Sequence, residues 1–391
     1  MSMKKVTRNP YMAVGMLGII ALLISPFETV KAASSYQFPK IINWAAADVG
    51  SVLYAIPATM VEKIAPALGS KIRMVPGSDI DRLNMMRGGK AQLATMAADT
   101  YWASMGLAHY CTFALGPQPI RIIWSGWPFS AGSTGLVSAA SGIKTPYDLK
   151  GKRMGVVVGA AWSHEGVRAN LAWAKLNVND ATIVEVSSTG AVNKALVEGK
   201  IDFTMGAANA PGFYEADASP YGAYLVRYSH DDKEGWERYR KIMPYHVPGY
   251  TTIGATIKPG EKVPTPMYPF PITICYANQP EEFVYALCKA IYSKMDEIVT
   301  AYPGNDAMKV DRATMPEITV MAPFHPGAVK FYKEIGKWSP ALEEAQNKRI
   351  AQSEKVNKRW EVFVQEAKTK KKTDIEKEWH DTVEKEIGLL P

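Results

Sequence analysis

The chain has 391 residues, 47% of them hydrophobic and 21% charged, with 30 Gly and 26 Pro; this is a globular composition, long enough for two medium domains. It excludes a disordered regulator, which lacks the apolar surface to offset ordering entropy, and a mean hydropathy of −0.12 with one long apolar run excludes a polytopic membrane protein. The formal charge of +7 is inflated by the N-terminus: removing residues 1–32 takes away Lys4, Lys5, Arg8, Lys31 and one acid, Glu28, leaving +4 over 359 residues, too mild for a nucleic-acid partner.

Residues 1–32 read as an export signal. Lys4, Lys5 and Arg8 form a positive start, Met12 to Ile24 is uncharged and mostly apolar, and Val30-Lys31-Ala32 offers small residues where a signal peptidase reads. The apolar run is shorter than the roughly 20 residues that span a bilayer; the competing reading is an uncleaved anchor. Cleavage near Ala32 would release an exported mature chain. The three cysteines, Cys111, Cys275 and Cys288, lack metal-ligand spacing. Cys288, among apolar residues, reads as a small buried hydrophobe, and a Cys111–Cys275 disulfide stays open.

Next along the chain comes a duplicated pattern. Ile41 to Trp44 predicts a strand, followed by the small-residue loop Ala45 to Ser51 and a helix with Leu53, Ile56, Met60, Ile64 and Leu68 on one face. Gly89-Lys90-Ala91 to Ala97-Ala98-Asp99 then predicts a helix end, a short strand and a small-residue loop. Met154 to Val158, Gly159 to Ser163 and the stripe Val167, Leu171, Ala174 repeat the first unit. Gly199-Lys200-Ile201 to Ala207-Ala208-Asn209 repeats the second at an offset of 110 residues. Two similar α/β lobes follow. Small residues let a ligand approach the backbone, and a first helical turn offers unpaired N–H groups at the positive end of the helix dipole. Two such turns facing one cleft would form an anion site; singly, each loop is equally explained as a tight strand-to-helix turn.

The ordered set of segments resembles the TAXI family, the solute-binding subunits of TRAP (tripartite ATP-independent periplasmic) transporters. Gly50-Ser51-Val52-Leu53-Tyr54 resembles the family's glycine-rich opening and Tyr, and Pro76-Gly77-Ser78 through Arg82-Leu83 its Gly-Gly-Ser segment. Ala98-Asp99 falls where the family carries Ser-Asp, and Thr145 to Arg153 matches its entry to the second lobe. Pro280 to Ile291 and His325-Pro326-Gly327-Ala328, followed by Phe331-Tyr332, resemble its C-terminal signature. The match covers roughly residues 38–336. It implies a type II periplasmic-binding-protein fold with lobe one at 36–137 and 264–338, lobe two at 138–263 and hinge crossovers between them. It also implies a monomeric receptor without a cofactor that closes on a small organic anion, carboxylate or amino acid.

On that resemblance the expected ligand contacts are Gly50, Ser51, Tyr54, Gly77, Ser78 and Asp99 from lobe one. Ala161, Trp162, Ser163 and Asn209 are those from lobe two. The first loop departs from the family in reading Ala-Ala-Ala-Asp, and Asp48 there could repel an anion or pair with a ligand ammonium. The second reads Trp162-Ser163-His164-Glu165, where only Ser163 carries over, as a hydroxyl and N-cap able to hold a carboxylate.

Ser163, His164 and Glu165 are too close in sequence to form a catalytic triad, and the histidines show no metal-ligand spacing; an enzyme is not expected. Tyr101, Trp102, Trp124 and Trp127 are either cleft walls or core. Arg82 and Arg168 either reach a ligand carboxylate or sit on solvated helix faces, and Asp99 is either a contact or a turn former. Residues 338–391 hold 11 basic and 11 acidic side chains, and Ile375, Trp379, Val383 and Ile387 repeat at four, predicting a helical extension with an apolar stripe. It either packs on a lobe or docks a partner. The same fold would also suit a receptor feeding a sensor kinase or an ABC importer.

Overall fold

The computed structural model describes residues 36–49, 51–127, 133–302 and 304–388; the expected export signal and Gly50 lie outside them. No described helix is long and apolar enough to cross a membrane. Strands run in chain order as β1 (Ile41–Ala46), β2 (Lys71–Pro76), β3 (Leu93–Met96), β4 (Ile120–Ser125), β5 (Ser133–Ser138), β6 (Arg153–Val157), β7 (Thr182–Val186) and β8 (Phe203–Ala207). After them come β9 (Ala223–Leu225), β10 (Val247–Thr251), β11 (Val263–Met267) and β12 (Ile272–Tyr276).

Two five-stranded sheets have matched orders, β2-β1-β3-β12-β4 and β7-β6-β8-β5-β9, and β10 and β11 form a separate ribbon. In each sheet the first three strands are parallel, and the fourth in the order, β12 or β5, runs antiparallel to its neighbour. β12 returns to the first sheet only after the chain has built the second, and β5 is the strand by which it enters the second. This is the type II arrangement, and β5 lies ahead of the expected boundary at 138. The two crossings touch: Gly126 N–H donates to Pro271 O at 2.7 Å and Phe270 N–H to Gly126 O at 2.9 Å.

The offset repeat occupies equivalent places. Gly89 and Gly199 follow the helices Asp79–Arg87 and Thr189–Val197, at φ 67° and 66°, and lead into β3 and β8. That left-handed backbone is open to glycine without strain. Asp99 and Asn209 therefore stand at the same point of the two lobes, just past the carboxyl ends of the third strands. The first helix, Val52–Leu68, buries Ile56, Met60, Ile64 and Leu68 as its spacing predicts and ends on Gly69 in the left-handed region.

The C-terminal extension forms a 28-residue helix, Pro340–Ala367, started by Ser339 accepting from Leu342 N–H, and a second helix Lys372–Thr382. Ile375, Trp379 and Val383 are buried against lobe one. Trp379 Nε1 donates to Met105 O at 3.1 Å, and its ring lies 4.8 Å from that of Trp360 and 5.1 Å from that of Phe363. The three cysteines are free and buried, so the disulfide left open is not formed.

His325-Pro326-Gly327-Ala328 has a packing reason. His325 Nδ1 accepts from Gly327 N–H as the cap of helix Pro326–Glu334. A Cβ on Gly327 would lie 2.2 Å from Glu281 O and 2.8 Å from Tyr285 N, which are backbone atoms of the helix Glu281–Ser293. Gly327→Ala is expected to destabilise the protein by about 2–3 kcal/mol, read as a lower midpoint in urea unfolding; an unchanged midpoint would contradict this close approach.

Candidate functional site

In sheets of this kind the ligand-facing end is the carboxyl end of the parallel strands, where helices begin. In lobe one these starts are Ser51 before helix Val52–Leu68, Ser78 before Asp79–Arg87, and Ala98-Asp99 before the seven-residue helix Asp99–Met105. In lobe two they precede Ala161–Trp173, Thr189–Val197 and Pro211–Asp217. The lobes meet along this end, and the contacts define the seam.

Asp99 is at its centre, 1% exposed. Its Oδ1 accepts from the Tyr110 hydroxyl at 2.7 Å, and the backbone N–H of Trp162, in the first turn of the second lobe's helix, stands near enough to favour the ionised carboxylate. Its Oδ2 has no hydrogen-bond partner. Burial, with Asp79 as a neighbouring negative charge, pushes the carboxyl up to about 8, against the opposing pull of Tyr110, Arg82 and Trp162 N–H. The Thr100 and Tyr101 hydroxyls are also buried without partners. Elsewhere the rings of Tyr101 and Trp102 pack 5.3 and 5.9 Å from Tyr245 of lobe two, and His109 and His164 meet across the seam at 5.3 Å. Burial holds Tyr245 well above the ordinary phenol range.

The other expected residues divide. Ser51 donates its hydroxyl to Asp48 O at 2.7 Å and makes no side-chain cap; Tyr54 is half-buried beside it. Ser78 is exposed and spent on a capping box with Asp81, next to half-buried Gly77. Ala161 is fully buried. Ser163 is not the N-cap, a position Ala160 holds; it is buried, and its Oγ accepts from Val157 N–H at 3.0 Å, turned back toward β6. Asn209 reaches the opposite lobe, its Nδ2 3.9 Å from where a Cβ on Gly304 would stand.

Arg82 is not on a solvated face. It is buried, paired with Asp79, and donates to Thr95 O at 2.7 Å. Arg168 is half-exposed and pairs with Glu165 at 2.8 Å. Trp124 is core, its Nε1 donating to Met308 O at 2.8 Å. Sequence reasoning missed Tyr110 and Tyr245; nothing in their spacing ties either to Asp99. It also missed that the extension's charge acts on lobe two: Glu376 of helix Lys372–Thr382 is raised by desolvation and by Glu165 of lobe two, with Lys372 and Arg168 opposing.

Two cavities of about 410 and 480 Å³ are lined by Tyr147, Trp173 and Arg227, and by Arg87, Gln118 and Tyr276. Neither is lined by Asp99, Trp162 or Asn209. Among the described residues one group has metal-ligand proximity, His380, Asp381 and Glu384. It lies on the outer face of the extension, and Asp381 there pairs with Lys377 at 3.1 Å.

Comparison with known proteins gives three findings. The model of the NMT1-like family matches residues 44–336. No curated protein sequence matches the chain. Among solved structures, an ancestral arginine-binding protein bound to arginine is 15% identical, with 68% of this chain and 99% of that one covered at a TM-score of 0.42. The alkanesulfonate-binding protein SsuA from Xanthomonas axonopodis pv. citri bound to MOPS is 17% identical, covering 79% and 83% at 0.40. The GluR0 ligand-binding core from Nostoc punctiforme in complex with L-glutamate is 15% identical, covering 66% and 94% at 0.37.

Proposed function

The chain belongs to the NMT1-like family, and from that premise we propose that it is an exported solute-binding receptor that captures a small organic molecule by lobe closure. The observation that carries this reading is the matched pair of sheets, each aiming helix starts from the carboxyl ends of its parallel strands at one seam. A hinge supports it: two crossings joined at Gly126 let the lobes move as bodies while the sheets stay intact. Affinity then reflects both the contacts and the fraction of protein free to close.

The ordered motifs from Gly50 to Phe331-Tyr332 favour the TAXI branch, a periplasmic monomer that hands its solute to TRAP permease subunits. On that reading the ten expected residues are the contact set to test, with Asp99, Trp162 and Asn209 nearest the seam. No reaction is proposed.

Thermal unfolding against carboxylates, amino acids and aromatic acids tests the receptor reading. A solute at 100 times its dissociation constant adds about 2.7 kcal/mol of stability and a readable rise in melting temperature. A panel without any shift, on protein first unfolded and refolded to strip retained solute, would contradict it. Uptake by co-expressed membrane subunits that collapses with the ion gradient and ignores ATP depletion is the TRAP outcome; the reverse is that of an ABC importer.

A further inference from the structure

The helix Ala161–Trp173 begins where a ligand anion would be held, yet the protein's own carboxylate occupies that start. Trp162 N–H stands beside Asp99 of the opposite lobe and favours its ionised form, and the Ser163 hydroxyl accepts from Val157 N–H behind it. A second anion there would lie against a buried acid. Asp99 itself is incompletely satisfied: Tyr110 holds Oδ1, while Oδ2 is buried without a donor. The nearest guanidinium, Arg82, is committed to Asp79 and Thr95 O, and no basic side chain among the described residues reaches Asp99 at ion-pair distance. A buried acceptor in this state is costly unless a donor arrives.

We propose, building on the receptor reading, that the solute carries a protonated amine and that Asp99 Oδ2 is its anchoring acceptor, with Tyr245 of lobe two nearby. The solute class is therefore a small amine or amino acid held by its ammonium, and a simple carboxylate at the second lobe's helix start is disfavoured. Charge at the site follows. The groups acting on Asp99 are Asp79 and Arg82 from helix Asp79–Arg87, the Tyr110 hydroxyl and Trp162 N–H, and Tyr245 faces it from lobe two. Burial keeps the empty carboxyl largely protonated at neutral pH, and an ammonium at Oδ2 favours its ionised form. Binding at pH 7 then releases close to one proton, so the measured heat changes with the ionisation enthalpy of the buffer.

The test is isothermal titration of the refolded protein with the common amino acids and small primary amines, each paired with its N-acetylated form. The amines are expected to bind and their acetylated forms not to, with the buffer-dependent heat of proton release. Asp99→Asn is expected to weaken binding about 10- to 100-fold and to remove the proton release, its fold checked by its melting temperature. Acetylated compounds or amine-free acids that bind wild type and Asp99→Asn alike would overturn the ammonium assignment and leave the receptor reading intact. So would native mass spectrometry of the protein as purified if it finds a retained solute without an amine. No binding and no retained solute would overturn both.

Discussion

A chain ending at residue 369 is expected to lose on the order of 5 kcal/mol of stability, enough to unfold many domains of this size near body temperature. The residues removed include Ile375, Trp379 and Val383, each at most 5% exposed, and burial of each such side chain is worth about 1.5–3 kcal/mol. The loss does not stop at the segment itself. Trp360 and Phe363 would be uncovered on the remaining helix, and Met105 O would lose the Trp379 indole donor. Met105 ends the short helix that begins at Asp99, so a frayed end is transmitted to the seam, and solute affinity is expected to fall together with the melting temperature. Urea unfolding of the truncated and complete chains measures the first effect, and titration with a binding solute the second. Unchanged stability with lost uptake would instead make the extension a docking element for membrane subunits; lost stability with unchanged uptake would remove docking from consideration.

The extension also shows what a sequence discloses and what it withholds. The spacing of Ile375, Trp379 and Val383 exposes an apolar stripe because helical period and burial coincide there, but the stripe carries no label for the surface it covers. The duplication was legible for a similar reason. A helix-ending glycine needs a left-handed backbone at both Gly89 and Gly199, and the short buried strands after them need small or apolar residues. Those demands recur at a fixed offset, so the two lobes could be inferred before any contact was known. Polar residues behave differently. Arg82 lies in Asp-Ile-Asp-Arg-Leu-Asn, a helix whose polarity suggests solvent on most sides, yet it is buried because Asp79 and Thr95 O together satisfy its guanidinium. Ser163 looked like a cap from its place after a strand; the helix starts earlier, at Ala161 with Ala160 as its cap, and the hydroxyl turns inward. Asp99 could be placed at a loop end but not across from Trp162, since that pairing depends on how two lobes close. Local sequence constrains each lobe; the seam belongs to their relative placement.

Substituting Asp99 by Asn is expected to raise the stability of the solute-free protein at pH 8 and to leave it nearly unchanged at pH 4. The sign follows from the direction of the shift. The buried carboxyl is pushed up to about 8, chiefly by burial and then by Asp79, from an ordinary value of 3.8. Between those values the unfolded chain gives up its proton while the folded chain keeps it, so the unfolded state gains as pH rises. Full expression of one such difference is about 1.4 kcal/mol per pH unit. Its favourable contribution is complete below the unfolded value and is lost as pH climbs through the folded one. Asn has nearly the same shape and no proton to lose, so the slope disappears. His246 tilts the curve the other way: burial lowers it to about 3, which removes stability as pH falls below the ordinary imidazole value of 6.5. That slope is common to both proteins and cancels in their difference. Calorimetric melting of the pair at pH 4, 6 and 8 reads the divergence directly. If Asp99→Asn melts lower than wild type at pH 8, the carboxylate is ionised and held by Trp162 N–H and Tyr110. The empty seam would then be a satisfied ion site, and Oδ2 would have no need of a ligand's ammonium.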